Sequence, residues 1–238
     1  MRNFSFLLLI LGVVFVSYAQ ETEGWKTHSE VSYVKTSGNS DTETLALKIE
    51  AKKSSIPDRY YTKGEFLYGK ADNQENTNRL YLLGRIERLF TGKLFGFIQG
   101  DYLQDRFSGY DYRTVWGIGI GYDFIKTEKH YFKVLFSLGY TFEDLKSGGT
   151  NDYTSGKTEA SYTWIIKENL KFKEDISYLQ SFKELTVYFI NSTTSLEVKI
   201  NDHLSLGIGY KIAYQHSPPS PDYQKTDTTF LTSLIFDY

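Results

Sequence analysis

The sequence contains no cysteine, and its only methionine is Met1. Without cysteine the chain has no disulfide framework, no thiolate nucleophile and no thiolate metal site. A surplus of one charge sign is also missing, because 27 Lys and Arg residues against 29 Asp and Glu residues leave a formal net charge of −2. The chain therefore lacks the basic surface that a nucleic-acid partner requires.

Long hydrophobic runs are scarce as well. The mean hydropathy of −0.39, with 24% charged residues, excludes a protein built from several transmembrane helices. One apolar run covers residues 4–16, after the basic Arg2, and Ser17-Tyr18-Ala19 follow with small residues at both ends of the triplet. This order predicts a secretory signal peptide at 1–19, and a single mature domain at 20–238 that begins at Gln20.

Aromatic residues are abundant, since 17 Phe, 20 Tyr and 3 Trp make up 17% of the chain. After Trp25 large side chains recur with period two, and no stretch sustains the i, i+3, i+4, i+7 spacing of an amphipathic helix. Between Thr114 and Phe124, for example, large residues alternate with Gly117, Gly119 and Gly121. Each alternating face holds for about eleven to thirteen residues, which lets a tilted strand cross a bilayer.

The whole chain predicts about twelve strands. Their approximate bounds are 25–37, 42–53, 59–71, 78–90, 94–107, 112–125, 131–145, 153–166, 170–182, 187–200, 204–214 and 226–238. Short connections (54–58, 91–93, 126–130, 167–169, 201–203) alternate with mostly longer ones (38–41, 72–77, 108–111, 146–152, 183–186, 215–225). All four prolines (Pro57, Pro218, Pro219, Pro221) fall in connections, as a hydrogen-bonded ladder requires. An all-β, transmembrane up-and-down antiparallel β-barrel is predicted.

Charges of both signs lie on the polar faces of these segments, and we expect them inside the barrel. They are Glu30, Lys48, Glu50, Lys63, Glu65, Arg85, Glu87, Arg113, Lys133, Lys157, Glu159, Lys173, Asp175, Glu197, Lys199, Lys211 and Asp227. A soluble barrel would turn them outward, whereas a membrane barrel turns its apolar face to lipid. Aromatic residues at segment ends predict two interfacial girdles: Tyr60, Tyr61, Phe90, Phe95, Phe124, Tyr131, Phe236 and Tyr238.

Three stretches carry a resemblance to a known family. They are Ser37-Gly38-Asn39-Ser40-Asp41-Thr42, the stretch from Asp105 through Arg113 to Tyr122, and Thr226-Asp227-Thr228-Thr229-Phe230 with the strand that ends in Tyr238. In these the chain resembles the YdiY-like family, often labelled salt-induced outer membrane proteins, whose domain has no assigned activity. The resemblance implies an outer-membrane barrel of unknown role whose aromatic end is read by the insertion machinery. It carries over no catalytic residues, and Tyr238 departs from the Phe that ends many members.

Candidate chemistry is sparse. No two of the four histidines (His28, His130, His203, His216) have the spacing of metal ligands on a strand. His216 with Ser217 and Ser220, or with Asp105 or Asp144, is the one group that could imitate a hydrolase at the barrel rim. Asp105, Asp111 and Arg113 are expected to form a structural charge cluster rather than a binding site.

The sequence thus predicts a protein of the outer membrane of a Gram-negative bacterium that is not an enzyme. We expect no catalytic, cofactor-binding or metal residues, and a role that is structural or that of a narrow pore for a small solute. Its expected partners are outer-membrane lipids and the outer-membrane assembly machinery, and not nucleic acid. Two alternatives stay open: an outer-membrane hydrolase acting at the rim, and a secreted soluble β-barrel that binds an apolar ligand.

Overall fold

The computed structural model describes residues 24–36, 41–221 and 223–238. The predicted signal peptide at 1–19, and residues 38–40 of the first predicted turn, lie outside the described residues. No helix in the described part of the chain is long and apolar enough to cross a membrane. The strands are β1 Trp25–Thr36, β2 Thr42–Ser55, β3 Asp58–Ala71, β4 Gln74–Leu89, β5 Leu94–Asp105, β6 Tyr110–Lys126, β7 His130–Leu145, β8 Thr150–Lys167, β9 Leu170–Ser181, β10 Tyr188–Lys199, β11 Leu204–Gln215 and β12 Thr226–Asp237.

The strands form one closed antiparallel barrel, in which each strand pairs with its neighbours in sequence and β1 pairs with β12. The predicted all-β, up-and-down architecture of about twelve strands is confirmed. The closing seam is short, with four paired positions from His28–Asp237 to Val31–Leu234. Two backbone hydrogen bonds extend it, because the Thr27 N–H donates to the Tyr238 carbonyl at 2.6 Å and the Tyr238 N–H donates to the Thr27 carbonyl at 3.0 Å.

The predicted strand bounds agree with the observed ones to within four residues, and the largest difference is in β4. This strand begins at Gln74, because Asp72 and Asn73 close a two-residue turn with φ angles of 50° and 64°. Asn and Asp enter this left-handed region more readily than most residues. The longer connection predicted at 72–77 is therefore wrong.

Both Trp25 and Asp237 lie at one end of the barrel, which we call the terminal end. The connections 56–57, 90–93, 127–129, 168–169 and 200–203 lie there as well. At the opposite, loop end β1 ends and β2 begins, and the connections 72–73, 106–109, 146–149 and 182–187 and residues 216–221 and 223–225 lie there too. The predicted difference in connection length between the two ends is only partly present, because the loop end holds both the longest connection and a two-residue turn. The four prolines all lie in connections, as predicted.

The apolar face of the strands points outward and the charged face points inward, as predicted. On the outward face, Ile118 is 66% exposed, Phe136 47% and Phe230 65%. Fifteen of the seventeen charged residues predicted to lie inside border the central cavity, and Glu197, which does not, is buried. Lys199 lies at the terminal end, where its ammonium contacts Asp202 in the adjoining turn.

Two apolar clusters pack inside the barrel, one near each end. Phe95, Phe97 and Leu135, with Leu89 against them, form the cluster at the terminal end. Gly121 and Gly119 make room for the two rings, because a Cβ at these positions would come within 2.2 Å of Phe95 and 2.7 Å of Phe97. The cluster at the loop end consists of Tyr110, Val115, Leu179 and Phe189, with Leu145 and Val187. The glycine face of β6 is thus required by close packing.

Aromatic rings form two belts on the outward surface. The belt near the terminal end runs from β6 to β9 through successive ring contacts of Tyr122, Phe124, Phe132, Tyr162 and Phe172. The belt near the loop end contains Tyr102–Tyr112, Tyr140–Phe142, and Tyr178–Tyr188–Tyr214. The girdle prediction was wrong for three residues that face inward: Phe95 is fully buried, and Tyr61 and Tyr131 border the cavity.

Candidate functional site

A cavity of about 790 Å³ occupies the barrel lumen. Its lining begins at the terminal end with Lys26 and Ser54, and it reaches Asn76, Phe107 and Asp227 at the loop end. Residues from both ends of the barrel therefore border one space. This lumen is the candidate functional site.

A network of ion pairs and hydrogen bonds lies inside the barrel, along the side that β3 to β8 form. The Lys157 ammonium contacts the Asp101 carboxylate at 2.6 Å, with both side chains buried. Next to this pair, Glu159 accepts a hydrogen bond from the Gln99 amide at 3.0 Å and lies 3.6 Å from the Arg85 guanidinium. These contacts join β5 and β4 to β8 through the interior, across strands that are not adjacent in the sheet. Removing an ion pair from water costs free energy, and further hydrogen-bond and charge partners offset that cost. The network supplies such partners around the Lys157–Asp101 pair.

The same network continues toward the terminal end. Arg59 of β3 contacts Glu87 at 2.7 Å and donates to the fully buried Asp123 of β6 at 3.2 Å. The Tyr131 hydroxyl donates to the second oxygen of Asp123 at 2.8 Å. The guanidinium of Arg59 also lies over the Phe95 ring, 4.3 Å from its centroid.

A second network lines the opposite wall, on β11 and β1 to β3. The Lys211 ammonium donates to Glu65 at 3.0 Å, and Lys63 reaches the other oxygen of Glu65 at 2.7 Å. Lys48 lies between Glu30 at 2.7 Å and Glu50 at 3.1 Å. Three strands lie between β11 and β3 in the sheet, so the Lys211–Glu65 pair bridges part of the lumen. The strands β9, β10 and β12 also contribute uncharged polar side chains to the lining: Ser177, Asn191, Thr193, Thr229 and Ser233.

One group of side chains has ligand atoms spaced as for a metal ion, and it was not predicted. His28, Glu30 and Glu197 each bring one such atom within 4.8 Å of the others. Both carboxylates already have close ammonium partners, since Lys48 lies 2.7 Å from Glu30 and Lys173 2.5 Å from Glu197. The His28 ring contacts Asp237 of β12 at 2.6 Å through Nδ1. His28 therefore connects β1 to β12 beside the closing seam, whereas Glu197 of β10 pairs with Lys173 of β9.

The residues of the hydrolase alternative are only partly brought together. His216 contacts the Tyr214 hydroxyl through Nδ1 at 2.9 Å and stacks on Tyr188 with ring centroids 4.6 Å apart. The Ser217 hydroxyl donates to the Thr186 carbonyl at 2.8 Å. The Nδ1 atom of His216 therefore faces a tyrosine, and the Ser217 hydroxyl is directed to a backbone carbonyl rather than to His216.

The predicted charge cluster of Asp105, Asp111 and Arg113 does not form. Arg113 points into the barrel, where it stacks on Phe189 at 3.8 Å and lies 4.0 Å from Glu143. Asp105 instead accepts a hydrogen bond from the Phe107 N–H at 3.0 Å. Sequence proximity suggested the cluster, but the inward direction of Arg113 on β6 separates it from the rim.

Several buried polar residues of the lumen were missed. Asp101, Asp123 and Glu143 were not among the charges predicted to lie inside, yet all three are buried there. The alternation contained the signal for two of them, because Asp123 lies on the same face of β6 as Arg113 and Glu143 on the same face of β7 as Lys133, both of which were predicted to point inward.

Comparison with known proteins gives a family and several distant structures. The model of the family described as "Protein of unknown function, DUF481" matches residues 29–238. The chain is 27% identical over 179 residues to "Uncharacterized protein YdiY" of Escherichia coli strain K12, covering 73% of this chain and 69% of that protein. It is similar to the NanC porin at a TM-score of 0.49 and 10% identity, over 90% of this chain and 97% of the other. It is also similar to the translocator domain of the autotransporter NalP from Neisseria meningitidis at 0.48 and 10%, over 99% and 95%.

Proposed function

The chain belongs to the DUF481 family, whose description assigns no activity. From that premise we propose that the protein is an outer-membrane β-barrel whose lumen is a narrow conduit for small hydrophilic solutes. The observation that carries the proposal is the cavity of about 790 Å³ bordered by residues from both ends of the barrel. A purely structural barrel would not need a space that reaches from one end to the other.

The polarity of the barrel supports the membrane part of the proposal. Ile118, Ile208 and Phe230 are exposed outward, while Arg85, Glu87 and the buried Lys157–Asp101 pair face inward. In water this arrangement would expose apolar surface and bury charge, both of which are unfavourable. In a bilayer the same arrangement is favourable, and closure leaves no unpaired strand edge in lipid. Aromatic belts near both ends are typical of interfacial anchoring.

Fractionation tests the location. We expect the protein to be recovered with outer membranes, to begin at Gln20, and to show heat-modifiable mobility on gels. The measurements are sucrose-gradient fractionation, amino-terminal sequencing and electrophoresis with and without boiling. Recovery as a soluble protein without detergent would refute the membrane proposal and favour the soluble-barrel alternative.

Conductance tests the conduit. The Lys211–Glu65 pair crosses the lumen, so replacing both residues with alanine should widen it at unchanged net charge, although Lys63 also loses its Glu65 partner. We expect the refolded protein to conduct in planar bilayers, and the double variant to conduct more per channel. Ile208→Ala is the matched control, because Ile208 lies on the same strand and faces outward, so its removal should leave conductance unchanged. A refolded, heat-modifiable protein with no conductance would favour a structural role.

A further inference from the structure

A cluster of cationic side chains lies in the lumen near the terminal end. It consists of Arg59 on β3, Arg85 on β4 and Lys133 on β7, and all three border the cavity. Lys52 on β2 flanks it, with its ammonium 5.1 Å from the centre of the Tyr61 ring. Arg85 faces the same ring at 5.1 Å. We call Arg59, Arg85 and Lys133 the cationic cluster.

The cationic cluster has more hydrogen-bond donors than the protein satisfies. Among the described residues, three buried guanidinium nitrogens lack a hydrogen-bond acceptor: Nε and Nη2 of Arg59, and Nε of Arg85. Arg59 Nη2 and Arg85 Nε lie 2.7 Å and 3.0 Å from oxygens of Glu87. Both nitrogens are close enough for charge attraction, but their N–H bonds do not point at those oxygens. Such donors are costly to bury, so each one in a native structure needs an explanation.

Lys133 is the least satisfied member of the cationic cluster. Its side chain is 16% exposed, and its closest carboxylate oxygen belongs to Glu87 at 4.0 Å, beyond hydrogen-bond distance. That carboxylate is shared with Arg59 and Arg85. Asp123, a second nearby carboxylate, is engaged by Arg59 and by the Tyr131 hydroxyl, and a third, Glu159, by Gln99 and Arg85. Within the part of the chain that the structure describes, Lys133 therefore presents an ammonium to the cavity without a hydrogen-bonded protein partner.

From this arrangement we infer that the cationic cluster binds a small oxyanion at the terminal end of the conduit. Planar guanidinium groups and an ammonium match the oxygens of a phosphate-like or carboxylate anion through charge-assisted hydrogen bonds. The extended network is balanced in charge, because Lys157, Glu159 and Asp101 pair among themselves and with Arg85. The donor that borders the cavity is the Lys133 ammonium, with the guanidinium groups of Arg59 and Arg85 beside it, and an acceptor-rich anion would supply the hydrogen-bond acceptor that Glu87 does not. The inference rests on the proposed open lumen, and it gives that lumen a solute class.

Binding of inorganic phosphate to the refolded, detergent-solubilised protein tests the site independently of conduction. Titration calorimetry at constant ionic strength, with chloride as the competing anion, should detect saturable phosphate binding. Lys133→Gln should weaken that binding by about tenfold or more, since it removes a charged hydrogen-bond donor. Lys133→Arg should restore it. Arg85→Lys, which keeps the charge but loses the planar donors, should also weaken it and serves if Lys133→Gln does not fold.

Lys171→Gln is the matched control, because it removes one ammonium at the same end of the barrel. Lys171 is paired with Glu197 at 3.5 Å and does not border the cavity. We expect its phosphate affinity to equal that of the wild type. Absence of phosphate binding to the wild type, or equal affinity in Lys133→Gln and the wild type, would overturn the site. Phosphate binding without conductance would overturn the proposed conduit and leave the site standing.

Discussion

Deleting Phe236, Asp237 and Tyr238 is expected to abolish assembly of the barrel. The seam between β1 and β12 has four paired positions, and the deletion removes His28–Asp237 and Ser29–Phe236, which are half of them. It also removes both backbone hydrogen bonds between Thr27 and Tyr238. An open seam leaves rows of unpaired N–H and C=O groups on two strands, and each unpaired group costs several kcal/mol in hydrocarbon.

Side chains at the seam add to the loss. Asp237 contacts Nδ1 of His28 at 2.6 Å, so the truncation also leaves His28 without this partner. The Tyr238 ring stacks on His203 with centroids 4.9 Å apart, which fixes the end of the chain against the turn between β10 and β11. We also propose that the aromatic terminus is what the assembly machinery reads, a role suggested by the family resemblance.

The measurement for the truncation is the fraction of protein with heat-modifiable mobility, in cells and after refolding into vesicles. Failure in both settings indicates an open seam, whereas failure in cells alone indicates lost recognition by the assembly machinery. Tyr238→Phe is the control, because it keeps the backbone pairs and the ring and should assemble normally. Normal assembly of the truncated protein would show that closure does not depend on the last three residues.

Replacing Ile118 with lysine is expected to reduce the free energy of unfolding by about 2–4 kcal/mol, the range for a cation on the lipid face near the bilayer midplane. Ile118 lies in the middle of β6, with Ile98 and Leu138 as its cross-strand partners. All three side chains are exposed on the outward face. A lysine there has neither water nor a carboxylate within reach.

Thr193→Lys is the matched control, because it places the same lysine on the inward face of a strand. Thr193 borders the cavity and pairs across the sheet with Asp175, which also borders it, so the new ammonium would lie in a wet lumen beside a carboxylate. We expect a change within about 1 kcal/mol, as for most exposed ion pairs. Denaturant unfolding in lipid vesicles gives both values. Equal penalties at the two positions would mean that the outward face does not contact lipid.

The signal peptide at 1–19 stays a prediction from the sequence, whereas the strand bounds are predicted by the alternation and are also described by the structure. Alternation fixes the direction of each side chain once a strand is assumed, so the inward position of Lys48, Glu65 and Lys157 was predictable. The up-and-down strand order was predictable from the connections between successive strands. The turn at Asp72 and Asn73 was less so. The same two residues occur in longer loops, and the pairing of Ala71 with Gln74 decides the length.

The sequence by itself determined the polarity of the two faces, the twelve strands and the position of the prolines, because these follow from local periodicity and backbone chemistry. The tertiary structure alone decided which inward charges meet. Lys211 and Glu65 are 146 positions apart, and Arg59 and Asp123 are 64 apart, so no local pattern relates them. Their contact depends on the curvature and register of the closed sheet. For the same reason only the folded barrel shows that Lys133 has no hydrogen-bonded partner among the described residues, while neighbouring cations share Glu87.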